Sequence, residues 1–287
     1  MRINIVFFAT FFLAIFFIYL NNAIPEKHFV VIICSYNNSQ WYQNNLDAVF
    51  NQDYSNYRVI YVDDCSSDNT GNLVQHYIKE KNQNHRCKII LNKKRKLKMQ
   101  NMYEVIHQHC KDNEIVVEYD GDDWFAHNQA LTRINKEYSN PEIWITYSQH
   151  QYWPSDSLGW GKSVPKEVIE QKKFRKFKGF LSQIRTFYAW LFKKIKKQDL
   201  LCTYRNFYGK FYPTNADVAM MFPMLEMAGD RFSFIPEVLY IYNTGTPLND
   251  IKTKCDLAKI CGREIRRRRP YERIKQIPNN IQYILKN

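Results

Sequence analysis

The run His28-Phe29-Val30-Val31-Ile32-Ile33-Cys34 is apolar almost without interruption and has the length of one strand. A strand covered on one face alternates apolar and polar residues, so an unbroken run points to burial on both faces. Tyr57–Asp63, Cys87–Leu91, Ile115–Tyr119 and Ile143–Tyr147 read the same way. Stretches of helical composition separate them, over about 40–52, 69–81, 96–110 and 128–137. Strand and helix alternate four times, the pattern of a doubly wound α/β sheet. Ligands of such sheets sit at the carboxyl ends of the strands, so the loops after each strand are where chemistry belongs.

Those loops are polar and rich in carboxylates. The first is Ser35-Tyr36-Asn37-Asn38 and the second Asp63-Asp64-Cys65-Ser66-Ser67-Asp68-Asn69-Thr70. The fourth, Asp120-Gly121-Asp122-Asp123-Trp124, sets three carboxylates within four residues. They repel one another unless a cation lies among them, and hard oxygen donors suit Mg²⁺ or Mn²⁺. Taken alone, the triplet also reads as a solvated acidic turn, and Asp64 as a helix cap.

The full chain of 287 residues is 45% hydrophobic and 24% charged, enough apolar content for a complete core, which excludes a disordered or disulfide-stapled miniprotein. With 41 Lys and Arg against 28 Asp and Glu, the formal net charge is +13, which points to anionic partners. The nine glycines argue against a fold built on Gly-rich phosphate loops. Seven cysteines show no metal-ligand or C-x-x-C spacing and read as reduced structural residues.

Ile3–Leu20 holds eighteen residues without a charge, long enough to cross a hydrocarbon core of about 30 Å. Residues 1–25 therefore read as an uncleaved membrane anchor, with a signal peptide as the alternative. Further on, Lys172–Lys197 carries ten Lys or Arg and no acidic residue. Its apolar positions 174, 177, 181, 184, 188, 191 and 195 recur at spacings of three and four, which predicts a basic amphipathic helix for a membrane interface or for the domain surface. Arg266–Arg269 reads as part of a solvated or membrane-facing tail over 246–287 rather than a nucleic-acid site.

In order and spacing, the S-Y-N-N, V-D-D-x-S-x-D-x-T and D-G-D-D-W loops resemble those of the family 2 glycosyltransferases of the GT-A fold. The resemblance covers residues 28–150 closely and 200–245 more loosely. It implies a Rossmann-like mixed α/β sheet over 26–245, with a nucleotide-binding half (26–150) and an acceptor half (151–245) that carries the basic insert. Ser35, Tyr36 and Asp64 would then hold the base of a nucleotide-sugar donor, a UDP-sugar by the family's commonest habit. Asp120 would lie near the ribose, Asp122 would ligate Mn²⁺ or Mg²⁺ with Asp120 beside it, and Arg95, Lys93, Lys94 or Lys98 would add a cation near the diphosphate.

The family's catalytic base, usually the Asp of a Glu-Asp pair opening a helix, corresponds to Asp217, although Ala216 replaces the Glu. Glu226 is the fallback. An Asp base implies single displacement with inversion at the anomeric carbon. Tyr147, Tyr152, Trp153 and Trp160 are candidates for a lid and sugar platform, or else for core. The implied partners are a nucleotide-sugar, a glycan, lipid-linked or protein acceptor, and the membrane, without nucleic acid. An N-glycosylation sequence at Asn37 lies inside the expected nucleotide site, which favours a cytosol-facing domain over a luminal one. The competing function is an inactive scaffold of this fold that binds membrane or nucleic acid. A nucleotidyltransferase would carry a Gly-rich basic loop after the first strand, and Ser35–Asn38 is not one.

Overall fold

The computed structural model describes residues 24–177, 182–247 and 255–277. The expected membrane anchor lies outside them apart from its last two residues. Among the described residues no helix is long and apolar enough to cross a membrane.

The first half alternates as expected: β1 (Phe29–Ser35), α1 (Tyr42–Phe50), β2 (Tyr57–Asp63), α2 (Thr70–Glu80), β3 (Cys87–Leu91), α3 (Leu97–His109) and β4 (Ile115–Asp120). There follow β5 (Trp124–Phe125), α4 (Ala130–Tyr138), β6 (Ile145–Trp153), α5 (Lys166–Glu170), β7 (Arg185–Tyr188), α6 (Ala189–Lys193), α7 (Ala216–Ala228), β8 (Phe232–Asn243) and α8 (Cys255–Arg267). The described strands build one eight-stranded sheet in the order β3-β2-β1-β4-β7-β6-β8-β5. β3, β2, β1 and β4 run parallel, β7 is antiparallel to β4 and β6, and β8 is parallel to β6, so the sheet is mixed.

The unbroken apolar strands sit where that pattern requires. Phe29 to Ile33 are fully buried, as are most residues of β2 and β4. β3, at the sheet edge, is half-exposed and carries Lys88, a charge that discourages pairing with another chain. From β1 the chain steps to β2 and β3 on one side and returns to β4 on the other. The strand order therefore reverses between β1 and β4, and their carboxyl ends frame a crevice there.

The basic insert is not an amphipathic helix. Its first part forms a short 3-10 turn at Phe174–Lys176, residues 178–181 are outside the described set, and Arg185–Tyr188 is a fully buried strand. Among the described residues, the three-and-four spacing is met by members of a turn, a strand and a short helix that pack on the core for separate reasons. A strand with Arg and Thr can lie mid-sheet because its charge and its hydroxyl meet partners there. Arg185 stands directly across from Glu118, and the Thr186 hydroxyl bonds Tyr138 (2.8 Å) and Thr146 (2.7 Å).

Nor do residues 255–269 form a solvated tail. They build α8 and the turn after it, with Cys261 and Ile265 buried. Arg266 donates to the Phe177 carbonyl (3.1 Å), and Arg268 to the Tyr212 hydroxyl (3.0 Å) and Asp199 (3.3 Å). Arg267 and Arg269 face solvent. The cysteines in the described residues are free, as expected.

Candidate active site

A cleft of about 360 Å³ opens at the carboxyl ends of β1, β2 and β4. Ser35, Tyr36, Asp64, Arg95, Asp120, Asp122 and Asp217 all line it, so these seven residues singled out from sequence are brought together there. Glu226 does not. It is buried in α7, grips Arg175 through both oxygens (2.6 and 2.8 Å) and accepts the Tyr271 N–H (3.0 Å), a structural pair rather than a base.

The first two loops are laced together. The backbone N–H groups of Asn37, Asn38 and Ser39 donate to Ser66, Thr70 and Asp68, each at 2.9 Å, and Ser67 N–H returns to Asn37 Oδ1 (2.9 Å). Burial alone pushes the Asp68 carboxyl up, but hydrogen bonds from Thr70 and Ser39 outweigh it and hold the group below its ordinary value. Left-handed backbone at Asn37, Cys65, Asn69, Leu97 and Asn215 concentrates in the loops around the cleft, where strain is commonly stored.

Asp64, 3% exposed, organises the loop after β3. Its Oδ1 accepts from Asn92 Nδ2 and the Lys96 N–H (both 2.9 Å), and its Oδ2 from the Leu97 N–H (2.8 Å). Arg95 in that loop stands 4.0 Å from Asp64 and lies over the Tyr36 ring. Of the four cations proposed for the diphosphate, Arg95 and Lys98 reach the cleft, whereas Lys93 and Lys94 are exposed outside its lining.

The Asp120–Asp123 turn is held by Asn45, whose Nδ2 donates to the Asp120 (2.8 Å) and Asp123 (2.7 Å) carbonyls. Gly121 packs against Ser35 so closely that a β-carbon would come within 2.6 Å of it. Asp123 is 2% exposed, accepts the Asn243 N–H (2.7 Å), and is pushed far up by burial and then by Asp122 and Asp120. Three carboxyls thus crowd at this turn, and burial disfavours the charged form of the innermost one. Among the described residues no cluster of three or more His, Cys, Asp and Glu is placed to hold a metal. Two hard carboxylates on an open cleft nevertheless fit an Mg²⁺- or Mn²⁺-like ion, which keeps waters and takes phosphate oxygens from its substrate.

On the far wall, Asp217 opens α7 in its first turn. Asn215, not Asp217, occupies the cap position, and its side chain makes no cap hydrogen bond. The Asp217 carboxylate, 32% exposed, pairs with Arg185 Nη2 at 3.0 Å. The aromatics divide. Tyr147 is core, whereas Trp160 is 44% exposed and lines the cleft beside Tyr242. Behind Trp160 (ring centroids 4.8 Å) lies His150, which burial, then the Arg185 charge, pushes down to about 4, so it is a neutral imidazole.

Sequence reasoning missed Glu118 and Arg185. The signal was present: a lone glutamate inside Ile-Val-Val-Glu-Tyr-Asp needs a buried cation, which the sequence does not locate.

Residues 30–200 match the glycosyl transferase family 2 model, more than half of the chain, and the chain belongs to that family. No curated protein is a detectable sequence relative. Among solved structures, mannosyltransferase PcManGT from Pyrobaculum calidifontis, in complex with GDP-Man and Mn²⁺, is 18% identical with a TM-score of 0.57, covering 91% of this chain and 69% of that one. S. aureus TarS 1–349 in complex with UDP is 18% identical (TM-score 0.53), and the alignment covers 76% of this chain but 60% of that fragment. GalNAc-T7 with UDP, GalNAc and Mn²⁺ is 14% identical (TM-score 0.53), at 76% and 44% coverage. At these identities the likeness establishes the shared GT-A fold.

Proposed function

We propose that this protein transfers a sugar from a nucleotide-sugar donor, a UDP-sugar in the first instance, to an acceptor hydroxyl with inversion at the anomeric carbon. The observation that carries the reading is the meeting, in one cleft, of Asp64 and Tyr36 at one end, Asp120 and Asp122 in the middle, and Asp217 on the opposite wall. Tyr36 offers a ring for the base and Asp64 a carboxylate for a base N–H. Asp122, with Asp120 beside it, would hold a divalent ion. Such an ion neutralises the charge that builds on the departing diphosphate. Lys98, at 2.5 Å from Asp120, is the chain's own cation at that place.

Asp217 takes the proton from the acceptor hydroxyl as its oxygen attacks the anomeric carbon. The C–O bond to the diphosphate breaks on the opposite face, which gives inversion. Trp160 and Tyr242 wall the acceptor side and help keep water, the competing nucleophile, away. The acceptor is a glycan, lipid-linked or protein hydroxyl. The apolar stretch 3–20 supports attachment at a membrane, and the glycosylation sequence at Asn37 within the cleft, with the free cysteines, supports a catalytic domain facing the cytosol.

Release of nucleoside diphosphate from a panel of sugar nucleotides tests this, using the full chain with Mn²⁺, Mg²⁺ or chelator. Turnover of one donor that needs metal and disappears in Asp122→Ala and Asp217→Asn is the expected result. Absence of metal-dependent nucleotide binding would overturn it in favour of an inactive scaffold.

A further inference from the structure

Glu118 lies mid-strand in β4 and is 1% exposed, yet its two carboxylate oxygens face two different cations. Lys98 Nζ stands 2.8 Å from Oε1 and Arg185 Nη1 3.2 Å from Oε2. Each cation continues to a second carboxylate. Lys98 reaches Asp120 at 2.5 Å, and Arg185 reaches Asp217 at 3.0 Å through its other terminal nitrogen. Five groups of alternating sign therefore run from the donor side of the cleft to the acceptor side, with Glu118 and Arg185 also facing each other across the β4–β7 ladder.

Stability does not account for this arrangement. Burying an ion costs several kcal/mol, and apolar replacements of buried pairs are often neutral or stabilising. Burial does oppose each charge, but the partners outweigh it: Glu118 is held below its ordinary value, Lys98 and Arg185 above theirs. Both ends of the chain of charges open into the cleft, at the two carboxylates given separate tasks above. Only a planar, forked cation can span Glu118 and Asp217 with separate nitrogens, which lysine cannot do.

We propose that Arg185, anchored on Glu118, is a positioning residue that sets the Asp217 carboxylate at the acceptor wall and keeps it in register with the donor side through Lys98. The inference rests on the transferase reading with Asp217 as base.

The test uses the full chain, the donor identified by diphosphate release, and UDP with Mn²⁺ as the binding probe. Arg185→Met is expected to bind UDP within about threefold of the parent while kcat falls on the order of a hundredfold, the cost typical of a misplaced reacting group. Arg185→Lys is expected to recover part of kcat, remaining about tenfold low. The Glu118→Gln/Arg185→Met double variant removes both buried charges, so it folds even where the single variant does not, and its kcat stays low. A kcat within about threefold of the parent in either Met variant overturns the proposal, as does a loss of UDP binding equal to the loss of kcat. A double variant that fails to fold also overturns it, since both residues then serve the fold. Full activity in Asp217→Asn fails the base assignment itself, and a parent that releases no diphosphate fails the transferase reading.

Discussion

Arg95 lies over Tyr36, its guanidinium carbon 3.4 Å from the ring centroid. One face of the Tyr36 ring is therefore already covered by a cation, in a contact worth about 0.5–1 kcal/mol when exposed. A base that stacks there must first displace Arg95. Arg95→Ala is accordingly expected to bind uridine roughly two- to fivefold more tightly in a calorimetric titration. Weaker binding would mean that Arg95 holds the base rather than guarding its place.

Gly121 has no room for a side chain. An added β-carbon would come within 2.6 Å of Ser35 and 2.8 Å of Asn38 Nδ2, both on the loop after β1. Gly121→Ala must push the Asp120–Asp122 turn away from that loop. We expect the affinity for UDP with Mn²⁺ to fall by about tenfold or more, roughly 1.4 kcal/mol. An unchanged Kd would show that the turn can move without disturbing nucleotide binding.

Trp160 presents its ring to the cleft from a backbone that cannot shift inward, because the neighbouring Gly159 is packed on the His150 ring. Trp160→Ala is expected to raise the acceptor KM about five- to tenfold, as a lost aromatic contact would, with the donor KM unchanged. Equal rises in both constants would place the ring at the donor instead.

Far from the cleft, Glu114 accepts from Arg58 (2.8 and 3.0 Å) and the Lys111 N–H (2.6 Å), with His28 at 3.3 Å. Burial pushes its carboxyl up, but the bonds from His28 and Arg58 outweigh that and hold it at about 2, against an ordinary 4.5. Its stabilising effect is therefore complete above about pH 4.5 and lost as the pH falls toward 2. His28 behaves oppositely. The Glu114 bond raises it above 6.5, so its contribution holds below that pH and fades as the pH rises through the raised value. Glu114→Gln is expected to cost about 2 kcal/mol near pH 5.5, with the gap to the parent narrowing as the pH falls from about 4.5 toward 2 in thermal melts. A gap independent of pH would mean that packing, not charge, is lost.

The first half of the fold was legible because its strands are buried on both faces. Phe29–Ile33 can be read as a buried strand without knowledge of any other segment, whereas Asp120–Asp122, alone also an acidic turn, gains a site reading only beside the loops after β1 and β2. Arg185 could not be read that way. Its fitness for a central strand depends on Glu118, 67 positions earlier, and only the sheet order brings the two together. Arg268 is similar: inside Arg266–Arg269 it looks like its neighbours, yet Tyr212 and Asp199 take it out of solvent. Spacing of three and four misled at 174–195 because a turn, a strand and a short helix each bury apolar residues at intervals that mimic one helix face.

The family match ends at residue 200, whereas Asp217, Tyr242 and Ala258 of α8 line the cleft beyond it. The cleft thus draws part of its far wall from chain outside the matched stretch, and Arg268, just past the end of α8, fastens it to the segment on either side of residue 200 through Asp199, Tyr212 and the Leu201 carbonyl. On the transferase proposed above, the acceptor side would therefore draw on both stretches, Trp160 and Arg185 from within the match and Asp217 and Tyr242 from beyond it. On that proposal, exchanging chain beyond residue 200 while keeping Leu201, Tyr212 and Arg268 would alter the Asp217 side of the cleft and leave the loops after β1, β2 and β4 in place.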